Sequence, residues 1–235
     1  MYIQSMKSYF LTLFFLLPVY GSAQQSAALK FDFPDSTLIL SKVICLGNNL
    51  TKQYVIENEM SLKPGDLITY KAVAYDVDRI YSLRLFTKVN VFVLPDSVNT
   101  ATLIITVHER WYFYPYPLFG FKDRDFSKIY YGAGLIHNNF DGRNVRVNGQ
   151  FALGYDPFVS LGYNDPLFYM KRRIFFSTQV YYTEQRNRSL VSIGSSTNFD
   201  ERRWGGSLSI GKRYTNFTSI TTTLEYLNLN VSDNK

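Results

Sequence analysis

The chain has 235 residues, 17% of them aromatic, with a formal charge of +6 and a single cysteine. One cysteine excludes an internal disulfide. The modest charge, with no Lys/Arg cluster interleaved with stacking aromatics, excludes a nucleic-acid-binding pattern.

The aromatic share is about twice that of an ordinary soluble domain. Tyr and Phe lead it, and both suit a surface that meets lipid and headgroups.

Residues 1–23 read as a secretory signal peptide. Lys7 supplies the charge, Tyr9 to Leu17 the apolar run, Pro18 its end, and Gly21, Ser22 and Ala23 the small-residue exit. The run is shorter than the roughly 20 apolar residues of a spanning helix. No cysteine stands at the cleavage point, which argues against a lipid-anchored lipoprotein. No later stretch is long enough for a transmembrane helix, so strands must carry the chain into any membrane. Residues 24–36 read as a linker.

From residue 37 to 110 the pattern is mixed. Leu38 to Leu46 is a run of strand formers stopped by Gly47, Asn48 and Asn49. Cys45 within it reads as a small buried apolar residue. Thr51 is expected to cap a short helix through Glu59, and Lys63 to Asp66 forms a turn. A second helix is predicted from Thr69 to Leu83, because Val73, Val77, Ile80 and Leu83 build one stripe. Asp76 and Asp78 on it are expected to face solvent. Strands follow at Val89–Leu94 and Leu103–Val107, joined by a loop over Pro95 to Asn99. Residues 111–128, with Trp111 to Phe119 rich in aromatics and proline, read as a second linker. Asp123 and Asp125 in it are expected to pair locally with Lys122 and Arg124.

From residue 129 to 235 the chain reads at period two. Val145 to Phe151, Val159 to Tyr163, Ile174 to Tyr182, Val191 to Gly194, Leu208 to Gly211 and Ile220 to Tyr226 alternate apolar with polar, and the pattern blurs after Leu227. A strand with one lipid face and one wet face must alternate in this way. A soluble antiparallel sandwich also alternates. Aromatics near strand ends (Tyr181, Tyr182, Phe199, Trp204, Tyr214, Phe217), strands near the roughly 9 to 11 residues of a tilted spanning strand, and the preceding export signal favour the membrane.

Candidate chemistry is sparse. His108-Glu109 opens like a zinc-protease helix, but Tyr112 stands where the second histidine would be. His137 has no second ligand near it in sequence and is expected at a turn. No Gly-x-Ser-x-Gly elbow and no phosphate loop occur. The expectation is a non-enzymatic protein with no cofactor and no metal.

The run Ile44-x-Leu46-Gly47-Asn48, then Leu62-x-Pro64-Gly65-Asp66, Leu83-x-Leu85-Phe86-x-x-Val89-x-Val91 and Ile105-x-Val107-x-Glu109 is similar to a POTRA domain. Gly132-x-Gly134-Leu135-x-x-x-Asn139-Phe140-x-Gly142 resembles the first barrel strand and turn of the BamA/TamA-type outer-membrane assembly superfamily, the bacterial surface antigens. Leu161-x-Tyr163-x-Asp165-Pro166-Leu167-Phe168 resembles its second hairpin, with an Asp-Pro turn.

The resemblance implies an α+β POTRA domain (β-α-α-β-β) over 37–110, followed by antiparallel transmembrane β-barrel strands, an incomplete barrel, over 129–235. It implies a protein of the outer membrane with its POTRA domain in the periplasm. The partners would be unfolded outer-membrane protein clients, periplasmic or lipoprotein accessory subunits, and outer-membrane lipid. Client-pairing edges are expected at Leu38 and Ile44 or at Val89 and Val91. The barrel seam is expected at Gly132 and Gly134.

The chain departs from the family in two ways. About seven strands are legible between Ser127 and Lys235, fewer than half of a family barrel, and the Arg-Gly-Phe tripeptide is absent. A truncated product or fragment is the expectation, with closure by other copies as the alternative. Two other functions stay open: an exporter of one polypeptide, as in two-partner secretion, and a passive structural barrel.

Overall fold

The computed structural model describes residues 38–187, 198–214 and 218–234. The expected signal segment 1–23, the linker 24–36, the strand at Val191 to Gly194 and Phe217 lie outside the described residues.

The first domain runs β1 (Ile39–Leu46), α1 (Gln53–Glu57), α2 (Tyr70–Ser82), β2 (Phe86–Pro95), β3 (Thr100–Glu109). The strand order is β1-β3-β2, with β1 parallel and β2 antiparallel to β3. A parallel pair needs a crossover connection, and the segment carrying the two helices supplies it. Leu40, Val89, Val91, Leu103, Ile105 and Val107 from the sheet meet Val55, Ile56, Val73 and Ile80 from the helices in a buried core. Helix α2 starts where Thr69 Oγ1 accepts a hydrogen bond from the Ala72 N–H at 3.2 Å.

Four sequence expectations are corrected in this domain. Thr51 does not cap α1. That helix starts after Lys52, whose side chain makes no cap bond. The Thr51 hydroxyl is instead drawn to the Glu109 carboxylate, 2.5 Å away. Asp76 is not on a solvated face: it is 2% exposed. It accepts from the Ser61 N–H and hydroxyl, both at 2.6 Å, and from the Leu62 N–H at 3.1 Å. A carboxylate on the inner face of a helix thus ties down the backbone of the preceding loop. Cys45 is half-buried rather than buried. Desolvation, with a smaller push from the Glu57 charge, raises its thiol to about 12. Leu38 is not at a free edge, because its carbonyl accepts from the Ile68 N–H at 2.9 Å.

The rest of the described chain is one antiparallel sheet of seven strands. They are β4 (Phe113–Phe121), β5 (Ile129–Phe140), β6 (Val145–Gly154), β7 (Phe158–Tyr169), β8 (Ile174–Asn187), β9 (Asn198–Arg213) and β10 (Ser219–Asn234). Each pairs with its neighbours in sequence, and β4 and β10 are the open edges. The stretch read as a linker over 111–128 therefore contains a strand. Its prolines pointed to irregular chain, but an edge strand tolerates proline where the missing N–H would face outward.

The sheet has two chemically distinct faces. Phe119, Tyr131, Phe151, Leu161, Val180, Leu208 and Leu224 lie on one face and are exposed. The other face carries Gln150, Ser160, Gln179, Ser207 and Thr223 in the same registers. Apolar residues facing outward and polar ones inward are the signature of a lipid-exposed barrel wall. Tyr182, Trp204 and Tyr226 sit near one level of the apolar face, with the Trp204 and Tyr226 rings 5.0 Å apart. Past this aromatic row the alternation of β10 inverts rather than blurs. Asn228 and Asn230 take the outer face, while Leu227, Leu229 and Val231 turn to the other. On β8 and β9 the Glu184–Arg202 ion pair stands at 3.2 Å beyond the row.

Two turn expectations change. Asp165 and Pro166 lie inside β7, at an irregularity of its pairing with β8, and the turn comes after Tyr169. His137 sits within β5, with its ring edge-on to Phe113 and Phe140. Asp123 does pair with Lys128 at 2.9 Å, but Lys122 reaches across to Asp156.

Candidate functional site: strand edges and the domain joint

Pairing in an antiparallel ladder alternates between bonded and non-bonded residues, so the bonds at the end of the ladder fix which groups face outward. In the first domain the Asp96 N–H donates to Thr100 O at 2.9 Å. Residues 94, 92 and 90 of β2 are therefore turned to β3 by register. Val89, Val91 and Val93 point their N–H and C=O groups to the open side, while the Val89 and Val91 side chains stay in the core. Among the described residues nothing bonds to the backbone there.

The β1 edge is different. Leu40 donates to Asp66 O and accepts from the Gly65 N–H, both at 2.8 Å, so its first half is covered. Ile44, half-buried, lies in the uncovered half. The more open of the two expected edges is thus β2.

The domain joint was not legible from the sequence. Glu109, at the end of β3, accepts from the Leu50 N–H at 3.0 Å and from the Thr51 N–H at 2.6 Å, besides the Thr51 hydroxyl. Asn139, at the end of β5, donates from Nδ2 to Thr51 Oγ1 at 2.9 Å and accepts from the Asn144 N–H at 2.8 Å. Thr51 and Asn139 are each 2% exposed. Tyr112, in the connection to β4, donates to Leu85 O at 3.1 Å. Burial there, with the nearby Glu109 charge, raises its hydroxyl to about 12, so it stays a donor at physiological pH.

The Lys52 N–H donates to Gly142 O at 2.9 Å. Gly142 has φ +68° and a Cβ there would lie 2.0 Å from Leu50 O, so the close approach of the two backbones requires glycine. Glu59 of the first domain meets Arg79 and, at 3.4 Å, Arg213 at the end of β9. The domain thus rests on the turns after β5 and β9, which lie at the same end of the sheet.

The expected seam residues Gly132 and Gly134 fall in β5, which pairs on both sides, with β4 and with β6. They are not at an edge. A Cβ on Gly132 would lie 1.9 Å from Phe151 O, and one on Gly134 would enter the Tyr116 ring at 2.2 Å. These glycines make room for the neighbouring strands, and the open strand is β4.

By its fold the described chain is a β-α-α-β-β domain seated on the turns of an antiparallel sheet that corresponds to part of a BamA-like barrel. Residues 39–110 match the POTRA family model, described as a surface antigen variable number repeat. Among solved structures the chain is similar to BamA from Haemophilus ducreyi lacking POTRA domains 1-3, at TM-score 0.64 and 17% identity over 83% of this chain and 36% of that one. It is also similar to CdiB from Acinetobacter baumannii (TM-score 0.50, 15% identity, 84% and 39%) and to CdiB from Escherichia coli (TM-score 0.59, 11% identity, 83% and 38%). The chain spans under two-fifths of the length of each of these. A search of curated proteins found no match. Residues 39–110 have the fold of a POTRA domain, and among the described residues β4 to β10 form part of a barrel-like sheet that does not close.

Proposed function

We propose that this protein works at the outer membrane, where its POTRA domain, in the periplasm, captures extended segments of unfolded outer-membrane proteins and its barrel strands assist their insertion. The observation that carries this reading is the open β2 edge, with the N–H and C=O groups of Val89, Val91 and Val93 facing outward. Backbone pairing at such an edge is tolerant of client sequence, while alternate side chains add a modest preference. Exposed Phe92 and Leu94 flank these positions and offer apolar contact to an added strand. The joint at Thr51, Glu109 and Asn139 holds that edge at a fixed distance from the barrel wall. Accessory subunits, in this reading, use the same kind of strand addition.

The test is photo-crosslinking from a benzophenone side chain at Phe92 of the full chain in cells. Many barrel precursors trapped at this position support assembly. A single secreted polypeptide would replace assembly with export, and no adduct under conditions of rapid precursor flux would refute client capture at β2.

A further inference from the structure

The two ends of the seven-stranded sheet carry their charges differently. At the end far from the POTRA domain Lys122 pairs with Asp156, Lys128 with Asp123, Arg202 with Glu184 and Arg203 with Glu201, and Arg186 lies over the Tyr155 ring. Arg124 alone of the described cations there has no such partner. At the near end Lys171, Arg172 and Arg173 form the turn between β7 and β8, and Lys212 stands at the end of β9. All four are exposed, and among the described residues none of them forms an ion pair. The two turns are joined, because the Arg213 N–H donates to Arg173 O at 3.0 Å. Glu59 of the POTRA domain, beside Arg213, is already shared between Arg213 and Arg79.

Register puts these cations where the apolar face ends. Ile174, Lys212 and Ile220 form one row across β8, β9 and β10, and the next row inward is Phe176, Ile210 and Thr222. The Phe168 ring lies 5.3 Å from that of Phe176. Exposed Tyr169 pairs with Ile174 at the level of the cations. The Lys212 ammonium lies over the ring of exposed Tyr214, 4.9 Å from its centre. An apolar strip, then aromatics, then cations follows in order the acyl chains, the interface and the phosphate of a phospholipid. Clustered like charges repel one another, and no carboxylate of the described chain offsets that here, so an anion from outside is favoured.

We propose that the turns after β7 and β9 bind the phosphate of an anionic phospholipid whose acyl chains lie on Phe168, Phe176 and Ile210. Lys171, Arg172, Arg173 and Lys212 supply the charge, and Tyr169 and Tyr214 flank the headgroup. The lipid belongs to the leaflet on the POTRA side. This rests on the outer-membrane reading of the apolar face and not on client capture. Bound headgroups fix the level of the near rim in the bilayer, and with it the height of the POTRA domain seated on the turns after β5 and β9.

The experiment uses the full chain in nanodiscs of equal phosphatidylglycerol and phosphatidylcholine. Benzophenone replaces Met170 in one sample and Tyr226 in another, and lipid adducts are counted by mass spectrometry. Each cation close to an anionic headgroup is worth about fivefold, so two of them at one phosphate give a preference of roughly 25-fold for phosphatidylglycerol at position 170. At position 226 neither lipid should be preferred. Lys171→Gln, Arg172→Gln and Lys212→Gln with Arg173→Asn, which tolerates the φ of +53° there, should abolish the preference at 170. Lipid adducts that persist at 226 show that this variant still folds and inserts. Lys122→Gln, Lys128→Gln, Arg202→Gln and Arg203→Gln together remove the same net charge at the far end and should leave the preference at 170 intact. An equal fall in that control, or equal adducts of both lipids at 170 in the parent, overturns the proposal. Loss of the preference on adding inorganic phosphate or polyglutamate, with ionic strength matched by chloride, overturns it too and reassigns the patch to free phosphate or to an acidic polypeptide. Lipid adducts at 226 with none at 170 overturn it while the membrane reading stands. Lipid adducts at neither position overturn both, and crosslinking at Phe92 still reads client capture by itself.

Discussion

Thr51→Val removes one hydroxyl and keeps the side-chain volume, which isolates the polar link between the POTRA domain and the barrel. In the parent the hydroxyl donates to Glu109 and accepts from Asn139 Nδ2 at 2.9 Å. The variant leaves Glu109 with its two backbone donors, so the carboxylate stays bonded. Asn139 is less fortunate: it is 2% exposed, and its Nδ2 loses that partner. An unpaired buried donor costs about 1 to 3 kcal/mol. Taking about 2 kcal/mol, the ratio of docked to undocked POTRA domain should fall roughly 30-fold. Spin labels at Val98 and Phe126, both strongly exposed, report the distance from the POTRA hairpin to the far turn of the barrel. A single narrow distance distribution should broaden, and exchange of the Lys52 amide, bonded to Gly142 O, should accelerate in step. Asn139→Ala on top of Thr51→Val should add only the loss of the acceptor of the Asn144 N–H, since the Thr51–Asn139 interaction is already gone. An unchanged distribution with unchanged Lys52 exchange would refute the claim that this cluster sets the domain orientation.

Three further outcomes are expected. Asp76→Ala strips the Ser61 and Leu62 N–H groups of their acceptor and should destabilise the POTRA domain by about 2 to 4 kcal/mol in urea denaturation. Cys45, with its thiol raised to about 12, should resist iodoacetamide at pH 8 in the folded protein and react fully after unfolding, as read by mass spectrometry. Asp96 accepts from the Ser41 and Thr102 hydroxyls, which lower its carboxyl pKa in the folded state. Its contribution is therefore complete above the ordinary carboxylate value of about 4 and is lost as pH falls through the lower folded value. Asp96→Asn should flatten the stability profile below about pH 4 and leave the profile above neutrality parallel to the parent.

Helix α2 was legible because two independent signals agreed: the apolar spacing through Val73 and Ile80, and Thr69 at its start. Strands β6 to β8 were legible because one face is polar and the other apolar, which forces alternation. Strand β4 was not, since Tyr114, Tyr116 and Leu118 on its inner face are as apolar or aromatic as Phe113 and Phe119 on its outer face. Period two vanishes when both faces carry rings, and two prolines then read as a break. The joint was hidden for a different reason. Thr51 meets Glu109 and Asn139, which lie 58 and 88 positions away. Each residue alone has an ordinary local reading, Thr51 as a helix cap above all. Asp76 misled in the same way: a charge amid a helical stripe reads as solvated until the Ser61 loop is seen folded onto it.

The direction of the strands constrains what can cover the β4 edge. Strand β4 leaves the POTRA domain, and each later strand reverses, so β6, β8 and β10 run the same way as β4. Joining β10 to β4 would make a parallel pair in an otherwise antiparallel wall. An antiparallel closure needs a strand that runs toward the POTRA domain beside β4. Such a strand would meet Phe121 and Phe119 first and Pro117 and Pro115 last along its own direction. Its N-terminal portion would then be bonded on both donors and acceptors, while at its C-terminal portion Pro115 and Pro117 offer carbonyls without donors. A covering strand is consequently weakest at its C-terminal end, which is the end nearest the POTRA domain.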